Sequence, residues 1–395
     1  MVKWQGYKLN ELGKVNRGKS KHRPRNEPSL FGGKYPFIQT GEIKATDFYI
    51  TNYSQTYSEK GLAQSKLWKK GTLCITIAAN IAETAILGID ACFPDSIIGF
   101  VADENKSDVK FIKYHFDLLK LHLQSISQGT TQDNLSQEKL LKFTFTVPID
   151  VKHQQRIASI LSAYDDLIEV NNQRIKLLEE TARELYKEWF VRMRFPGYKK
   201  AKFVKGVPED WEVKKVKDIV DRRKFGKTYR PEELTEQGNV IVIDQSTDAL
   251  LGFHNNNPDH CATSESPMMI FGDHTCKMQL MIEPFSLAEN VIPIAAKEKI
   301  PIYYLYYLIE SLVETTEYKR HWNDLVTKSV FVCQPLLRIK YAEIVKPFFE
   351  QIEILKQQNT QLRQIRDRLL PRLISGKMEL KIEATEPSEL KDNED

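Results

Sequence analysis

The stretch His153–Phe190, HQQRIASILSAYDDLIEVNNQRIKLLEETARELYKEWF, decides how the rest of the sequence is interpreted. Apolar residues recur in it at alternating steps of four and three, interrupted by the polar Asn171. The series is Ile157, Leu161, Tyr164, Ile168, Ile175, Leu178, Ala182, Leu185 and Trp189. A seam of this period, flanked by Glu, Lys and Arg, is typical of one long helix that supercoils against a partner helix. We expect the partner in the same chain.

A second helix of the same kind is predicted near the C-terminus. Its seam is Phe348, Ile352, Leu355, Asn359, Leu362, Leu369 and Leu373, broken by Arg366 and Pro371. Asp150 can cap the first helix and Phe195-Pro196-Gly197 ends it, while Pro347 is expected to open the second helix and Ser375-Gly376 to close it. Two such helices separated by a globular segment can bury their seams on one another if the chain doubles back, which favours an antiparallel pair.

The predicted helix-pair interface takes residues from both seams. It comprises Ile157, Leu161, Ile168, Asn171, Ile175, Leu178 and Leu185 with Ile352, Leu355, Asn359, Leu362 and Leu369. A polar residue inside such a seam can specify register, so we expect Asn171 to face Gln358 or Asn359.

Length and composition limit the class of protein and the number of domains. The 395 residues, of which 41% are hydrophobic and 28% charged, allow two or three folded domains and argue against disorder or a fibrous repeat. Five scattered cysteines do not suggest a disulfide framework, and Met1–Lys14 lacks the order of a signal peptide. The apolar stretch Thr72–Phe93 contains Asn80, Glu83 and Asp90, so it predicts a pair of buried strands rather than a membrane span. The expected location is the cytoplasm.

Positive charge is clustered although the net charge is only +4. The clusters are Lys14, Arg17, Lys19, Lys21, Arg23 and Arg25; Lys199, Lys200, Lys202 and Lys205; and Arg222, Arg223, Lys224, Lys227 and Arg230. One such cluster alone could be an ordinary solvated surface. Recurrence at matching places in two halves favours a polyanionic partner instead.

The two halves repeat one plan. Trp4, Lys8, Leu9, Glu11 and Leu12 align with Trp211, Lys215, Val216, Asp218 and Ile219 at an offset of 211 − 4 = 207. In the helices, Ile168, Asn172, Ile175 and Leu178 align with Leu355, Asn359, Leu362 and Ile365 at an offset of 355 − 168 = 187. The sequence therefore predicts a tandem duplication with a shortened second copy.

The predicted fold class is α+β: a small α/β domain followed by a long helix, twice, with the two helices forming an antiparallel coiled coil. The expected segments are domains 1–149 and 207–346, helices 150–195 and 347–376, a linker 196–206 and an acidic tail 377–395. Predicted strands are Tyr35–Gln39, Leu73–Ala78, Ile97–Val101, Leu141–Val147, Val240–Asp244, Met268–Phe271 and Val291–Ala295, and predicted domain helices are Val109–Gln124 and Pro301–Glu317.

The chain resembles the DNA specificity subunits of type I restriction-modification systems. The resemblance runs from Trp4 to Gly376 and is carried by three runs. They are Gln155-Arg156-Ile157 through Glu188-Trp189-Phe190, Gln128-Gly129-Thr130-Thr131-Gln132 leading to Pro148, and Leu369-Leu370-Pro371-Arg372-Leu373. One departure is Asn323–Pro335, NDLVTKSVFVCQP, which has no clear GTTQ.

The resemblance implies two target recognition domains, each reading half of a bipartite DNA site. It implies as partners double-stranded DNA, two methyltransferase subunits docked on the helices, and restriction subunits held through the complex. It implies no membrane, no cofactor, no bound metal and no catalytic residue in this chain.

Reading bases needs fixed hydrogen-bonding side chains, and holding the duplex needs Lys and Arg on phosphates. In the first domain the candidates for phosphate or base contact are Lys19, Lys21, Arg23 and Arg25, with Gln39, Thr40, Gln128, Thr130 and Gln132 nearer the base edges. In the second domain they are Arg222, Arg223, Lys224, Lys227, Tyr229 and Arg230, followed by Gln245 and Lys277.

The alternative function is a metal-dependent DNA nuclease. Pro94-Asp95 followed by Glu104-Asn105-Lys106 matches the spacing of such a site, but the match is short and common by chance. A methyltransferase is disfavoured because no Asn-Pro-Pro-aromatic run and no convincing cofactor glycine loop occur. His254, His260, Cys261, His274 and Cys276 lack paired metal-ligand spacing.

Overall fold

The computed structural model describes residues 2–77, 83–126, 137–246, 250–297, 299–315, 317 and 319–380. The chain divides into two compact units. The first unit comprises Met1–Glu169 and Asn359–Asp395, and the second comprises Val170–Gln358. Each unit therefore combines one globular half with a stretch of each long helix. No helix in the described ranges is both long and apolar enough to cross a membrane.

Among its described residues, the first unit has eleven strands and five short or medium helices. The strands are β1 (Trp4–Tyr7), β2 (Gly13–Arg17), β3 (Phe31–Phe37), β4 (Tyr49–Ile50), β5 (Gln55–Tyr57), β6 (Leu67–Trp68), β7 (Leu73–Thr76), β8 (Thr84–Leu87), β9 (Ala91–Cys92), β10 (Ile97–Ala102) and β11 (Phe145–Pro148). The helices are α1 (Leu9–Leu12), α2 (Thr40–Lys44), α3 (Glu59–Ala63), α4 (Val109–Ile126) and α5 (Gln137–Lys142).

Two sheets and one strand pair make up this unit. A five-stranded sheet has the order β2-β10-β7-β8-β4, and a four-stranded sheet has the order β5-β3-β9-β6. The first strand, β1, pairs antiparallel with the last, β11. The predicted buried strand pair within Thr72–Phe93 is confirmed, since β7 and β8 are buried and pair antiparallel. The helix predicted at Val109–Gln124 is confirmed as α4.

The first long helix, α6 (Val151–Tyr186), continues as a π-helical turn at Lys187–Val191. Asp150 caps it as predicted, because its Oδ1 accepts the Lys152 amide at 3.0 Å. The helix ends before the predicted Phe195, and Gly197, with φ of 90°, lies in the following turn.

The part of the second unit that the structure describes has eleven further strands, three short helices and the start of the last helix. The strands are β12 (Phe203–Val204), β13 (Val207–Pro208), β14 (Glu212–Lys215), β15 (Val220–Arg222), β16 (Val240–Ile243), β17 (Leu250–His254), β18 (Met268–Gly272), β19 (Met278–Met281), β20 (Phe285–Leu287), β21 (Val291–Ala296) and β22 (Ser329–Val332). The helices are α7 (Val216–Ile219), α8 (Ile302–Ile309), α9 (Trp322–Thr327) and the long α10 (Pro335–Ile374).

The second unit repeats the strand order of the first. Its sheets β15-β21-β18-β19 and β17-β16-β20 match β2-β10-β7-β8 and β5-β3-β9, and β14 pairs with β22 as β1 pairs with β11. In each smaller sheet one neighbour is parallel, β9 to β3 and β20 to β16. The offset of 207 is confirmed at α1 and α7, where Leu9, Leu12, Val216 and Ile219 are all buried.

Within each unit the two long helices run in opposite directions. In the first unit Ile157 and Leu161 share a core with Leu370 and Leu373, and further along α6 the Asp165 carboxylate pairs with Arg366. In the second unit the Tyr341 hydroxyl donates to the Ala182 carbonyl at 2.9 Å.

Aromatic residues dominate the core of the second unit around these helices. Phe190 packs edge-on against Tyr304 and Tyr341, with ring centroids 4.9 and 5.4 Å away. Tyr186 lies beside the same rings. Edge-to-face contacts of this kind add to the stabilisation from apolar burial.

The predicted start of the second helix is wrong. The helix begins at Pro335, not Pro347, because Leu337, Tyr341 and Val345 bury their side chains in the second unit's core. Burying three such side chains stabilises the extra turns by several kcal/mol. That exceeds the roughly 3 kcal/mol cost of an interior proline.

Several shorter boundaries also differ from the prediction. The helix expected over Pro301–Glu317 ends at Ile309, because Glu310 leaves helical geometry and Ser311 has a φ of 62°. The strand expected over Leu141–Val147 is a helix to Lys142 followed by β11. The strand expected over Tyr35–Gln39 runs over Phe31–Phe37, because Gln39 already caps α2. Strands predicted around Leu73, Ile97, Val240, Met268 and Val291 are present within one or two residues.

The constant helix offset of 187 is also wrong, since it equates the exposed Asn172 with the buried Asn359. Buried positions of α6 and α10 align at an offset of 184 in the first part of the helices and at an offset of 188 in the later part. The early matches are Ile157 with Tyr341, Leu161 with Val345 and Ile168 with Ile352. The later matches are Asn171 with Asn359, Ala182 with Leu370 and Tyr186 with Ile374. The helix α10 therefore carries four more residues, 188 − 184, about one turn, between the two sets.

Most predicted interface residues lie on the inner face of their helix. Fully buried members are Ile157, Leu161, Ile168, Asn171, Ile352, Leu355 and Asn359, and half-buried members are Ile175, Leu178, Leu185, Leu362 and Leu369. Gln358, the other counterpart considered for Asn171, is exposed.

Candidate nucleic-acid interface

The first basic cluster begins in β2, which contains Lys14 and Arg17, and continues on the loop between β2 and β3, which connects the two sheets of the first unit. Backbone contacts hold this loop: the Lys19 amide donates to the Phe93 carbonyl at 3.2 Å and the Ser65 hydroxyl to the Lys19 carbonyl at 2.8 Å. Gly18 at its start has no room for a side chain, because a Cβ would lie 2.3 Å from the Pro94 carbonyl oxygen. The loop is thus fixed at its base.

The basic side chains of this loop differ in whether they already bind other groups of the protein. Lys19 and Lys21 are exposed. Arg23 folds back and donates to the Ser20 and His22 carbonyls, both at 2.8 Å. Arg25 places one guanidinium nitrogen 3.0 Å from both carboxylate oxygens of Asp95. The lysines are therefore the more available phosphate contacts, and the arginines also stabilise the loop.

Lys66 belongs to the same surface although its sequence position did not reveal it. Its Nζ lies 3.6 Å above the Trp68 ring. Burial, followed by the charges of Lys19 and Lys14, lowers the pKa of Lys66. Like charges held this close attract an anion, which would relieve their repulsion. In the sequence, the only sign of this role was that Lys66 lies two residues before Trp68 of a strand. Such a spacing is too common to identify a binding residue.

The other first-domain candidates lie elsewhere. Gln39 is exposed and precedes α2, and its Nε2 donates to the Gln55 Oε1 at 3.0 Å. Thr40 is half-buried at the start of that helix. Gln128, Thr130 and Gln132 lie outside the described residues.

The second basic cluster lies at the end of β15 and on the loop to β16, the connection that corresponds to the first loop. Asp259 and Leu287 fix this loop: the Lys227 amide donates to the Asp259 carboxylate at 3.2 Å, and the Tyr229 amide to the Leu287 carbonyl at 3.1 Å. A Cβ on Gly226 would lie 2.2 Å from the Asp259 carboxyl carbon, so this position requires glycine.

Tyr229 lies beneath the loop rather than on its surface. Its ring is 4% exposed and stacks on His254 with centroids 4.2 Å apart. Lys227 Nζ lies 4.5 Å from that ring and 2.6 Å from the Glu233 carboxylate, whose hydrogen bond raises the pKa of Lys227. Tyr229 thus supports a lysine instead of offering its own ring to a ligand.

The remaining basic residues of the second cluster are exposed. The Arg222 guanidinium lies 5.6 Å from the Trp322 ring centroid, and Arg223 Nε lies 3.3 Å from the Asp221 carboxylate. Lys224 and Arg230 are exposed on the same loop. All five cationic candidates therefore lie at the surface.

Gln245 and Lys277 lie near one another at the end of β18. The Gln245 Oε1 accepts from the His274 amide at 3.0 Å, and Lys277 Nζ donates to the Ser246 carbonyl at 2.7 Å. Both side chains thus hold turns in place.

The nuclease-like spacing does not form an evident metal cradle. Asp95 pairs with Arg25, Lys106 lies 3.6 Å from Asp103, and Glu104 is exposed. Across the described ranges no group of three or more His, Cys, Asp or Glu side chains is placed to hold a metal ion. Of the histidines near the cysteines, His254 and His260 stack on Tyr229 and Phe285.

Comparison with known proteins gives consistent matches. Residues 1–180 match the model of the type I restriction modification DNA specificity domain. The type I restriction enzyme MjaIX specificity subunit of Methanocaldococcus jannaschii is 25% identical over 96% of this chain and 94% of its own. The MjaVIII specificity subunit of the same organism is 24% identical over 96% and 93%.

A solved structure supports the fold. The type I restriction-modification S subunit from M. genitalium has a TM-score of 0.55 and 18% identity, over 94% of this chain and 96% of that one. The predicted resemblance to the type I restriction-modification DNA specificity subunits is confirmed by the family model over residues 1–180 and by these relatives over nearly the whole chain.

Proposed function

We propose that the protein is the non-catalytic subunit that selects the DNA sequence in a type I restriction-modification complex. Each globular half reads one half of a bipartite site in double-stranded DNA. The complex forms with two methyltransferase subunits and, through them, restriction subunits. Its place of action is the cytoplasm, where the cell's DNA is accessible.

One observation carries this proposal: both units present an anchored basic loop at the same connection of the same sheet order. Lys19 and Lys21 lie on the first loop and Lys224 and Lys227 on the second. Phosphate contacts from such loops position a duplex, while nearby polar side chains can read base edges. A repeated reader suits a site that has two parts.

We also propose that α6 and α10 form an antiparallel coiled coil that sets the distance between the half-sites. A helix of 36 residues such as α6 spans about 54 Å at 1.5 Å per residue. One turn of DNA spans about 34 Å. A rigid spacer of this length would leave bases between the two readers uncontacted. The exposed outer faces of the helices would dock the methyltransferases.

The test is methylation mapping in a host that expresses the chain with its methyltransferase. The expected result is one gapped motif with two specified parts. An ungapped motif, or DNA cleavage by the isolated chain with Mg²⁺, would contradict the proposal.

A binding series tests the loops. Lys21→Ala and Lys224→Ala should each weaken DNA binding and lower the salt dependence, log K against log salt, by about one unit. Lys340→Ala, an exposed lysine on α10, is the control and should leave that slope unchanged. Equal effects from all three variants would show that the loops hold no phosphate.

A further inference from the structure

Three separate parts of the first unit meet at the carboxylate of Asp165 on α6. Its side chain is 1% exposed. Tyr114 of α4 donates a hydroxyl hydrogen bond to one carboxylate oxygen, and Arg366 of α10 forms an ion pair with the other. Nearby, Arg363 of α10 pairs with Asp47 at 2.8 Å. Two acidic groups of the first unit therefore bind two arginines of the C-terminal helix.

The first helix lacks these arginines at its corresponding positions. The offset of 188 holds for buried positions both before and after the two arginines. At this offset, Arg363 and Arg366 of α10 correspond to Ile175 and Leu178 of α6. At the offset of 184, Asp165 corresponds to Phe349. The buried ion pair thus has an apolar pair as its counterpart, and of the two long helices only the C-terminal one offers Asp165 a cation at this position.

In the second unit, the corresponding ion pair uses an arginine of the first long helix, α6. Arg183 of α6 makes two hydrogen bonds to the Glu310 carboxylate, at 2.9 and 3.1 Å. Its counterpart on α10 is Pro371, which offers no charge. Glu310 therefore fits the first helix and not a second copy of the C-terminal helix.

We propose that these ion pairs make the two long helices of the chain pair with each other and exclude pairing between like helices of two copies. Because the halves are duplicates, each stretch of the apolar seam on one side of the extra turn of α10 would otherwise accept the corresponding stretch from a second copy. Pairing two first helices would bury Asp165 against Leu178 without its direct partner Arg366, which is strongly unfavourable. The consequence, which rests on the proposed function, is that two different half-sites are read together and not two identical ones.

The test uses full-length chains with two different tags, co-expressed and cross-linked through lysines. Lys152 and Lys187 lie about 52 Å apart along one helix, too far for a cross-link within it. Antiparallel pairing of two first helices would instead bring Lys152 of one copy next to Lys187 of the other. This cross-link reports the excluded pairing, and the assay needs neither DNA nor methyltransferase.

The variant Asp165→Leu/Arg366→Leu should raise this cross-link and the fraction of doubly tagged species at least fivefold over the wild type. Asp165→Glu/Arg366→Lys keeps both charges and should stay within twofold of the wild type. If the apolar variant fails to fold, Asp47→Asn/Arg363→Gln decides, since these residues are 55% and 39% exposed, and a twofold rise is expected. A folded variant of either kind with no rise would overturn the proposal. A rise without any gapped methylation motif would contradict only the proposed function.

Discussion

At the level of single residues, Glu283 and Glu353 bring two carboxyl groups together in the second unit. Burial, and then the charge of Glu353, raises the pKa of Glu283 from 4.5 to about 7. The folded chain therefore holds a proton that the unfolded chain releases above pH 4.5 or so. The contribution to stability is complete below that pH and is lost as the pH rises through about 7.

Glu283→Gln should remove this pH dependence, because the amide resembles the protonated acid. We expect the free energy of unfolding to rise by on the order of 1 kcal/mol at pH 8 and to change little at pH 5. Urea titrations at the two pH values measure both quantities. Glu236→Gln, at an exposed carboxylate of the same unit, is the control. An equal gain at both pH values would rule out the titration of Glu283 as the cause.

Individual residues were predictable only where local pattern decides their role. The basic loops were predictable because charge clusters are visible in the sequence, and DNA contact by their lysines stays a prediction. Arg366 was taken as a break in the seam, whereas it neutralises the buried Asp165. That pairing joins residues 201 positions apart, so no local period contains it. Tyr229 was predicted to contact DNA although it is buried, and Lys66 was not predicted at all. The reason is the same, since burial under a loop depends on contacts distant in sequence.

At the level of elements, the two faces of α6 differ sharply and offer a matched comparison. Leu161 is fully buried in the first unit's core, while Leu167 is 47% exposed on the same helix. Leu161→Ala should lower the free energy of unfolding by about 2–5 kcal/mol through lost burial and a cavity. Leu167→Ala should change it by no more than about 0.5 kcal/mol.

Denaturant unfolding measures both variants, and helix propensity cancels because the substitution is the same. Similar losses would mean that the outer face of α6 is covered in the folded chain. The comparison therefore separates the inner seam from the outer face proposed for docking.

The periodicity of an element was easier to predict than its ends. The seam of α6 was recognised because a period near 3.6 persists over its whole length. The start of α10 was missed because Pro347 was taken as the first residue of the helix, and only the packing of Tyr341 and Val345 overrides that signal. The extra turn of α10 was invisible because a single constant offset was applied across the repeat. Burial on both sides of the insertion was needed to detect it.

At the level of the whole molecule, the duplication supplies two globular halves of similar strand order and two long helices. Charge then distinguishes the copies: Arg366 and Arg183 each lack a basic counterpart in the other helix. A duplicated chain whose two halves use different ion pairs can hold two different reading surfaces in one fixed alignment. Under the proposed function, half-site spacing is a property of helix length, and base preference is a property of each globular half.

Inserting one heptad into each long helix, after Asn171 and after Asn359, tests this division of roles. Seven residues add about 10 Å to the spacer. DNA rises about 3.4 Å per base pair. We therefore expect the methylation motif to keep both specified parts and to gain about two or three unspecified base pairs between them. A heptad inserted into α6 alone should instead mismatch the two seams and lower the melting temperature. An unchanged gap in a folded, active double insertion would show that the helices do not set the spacing.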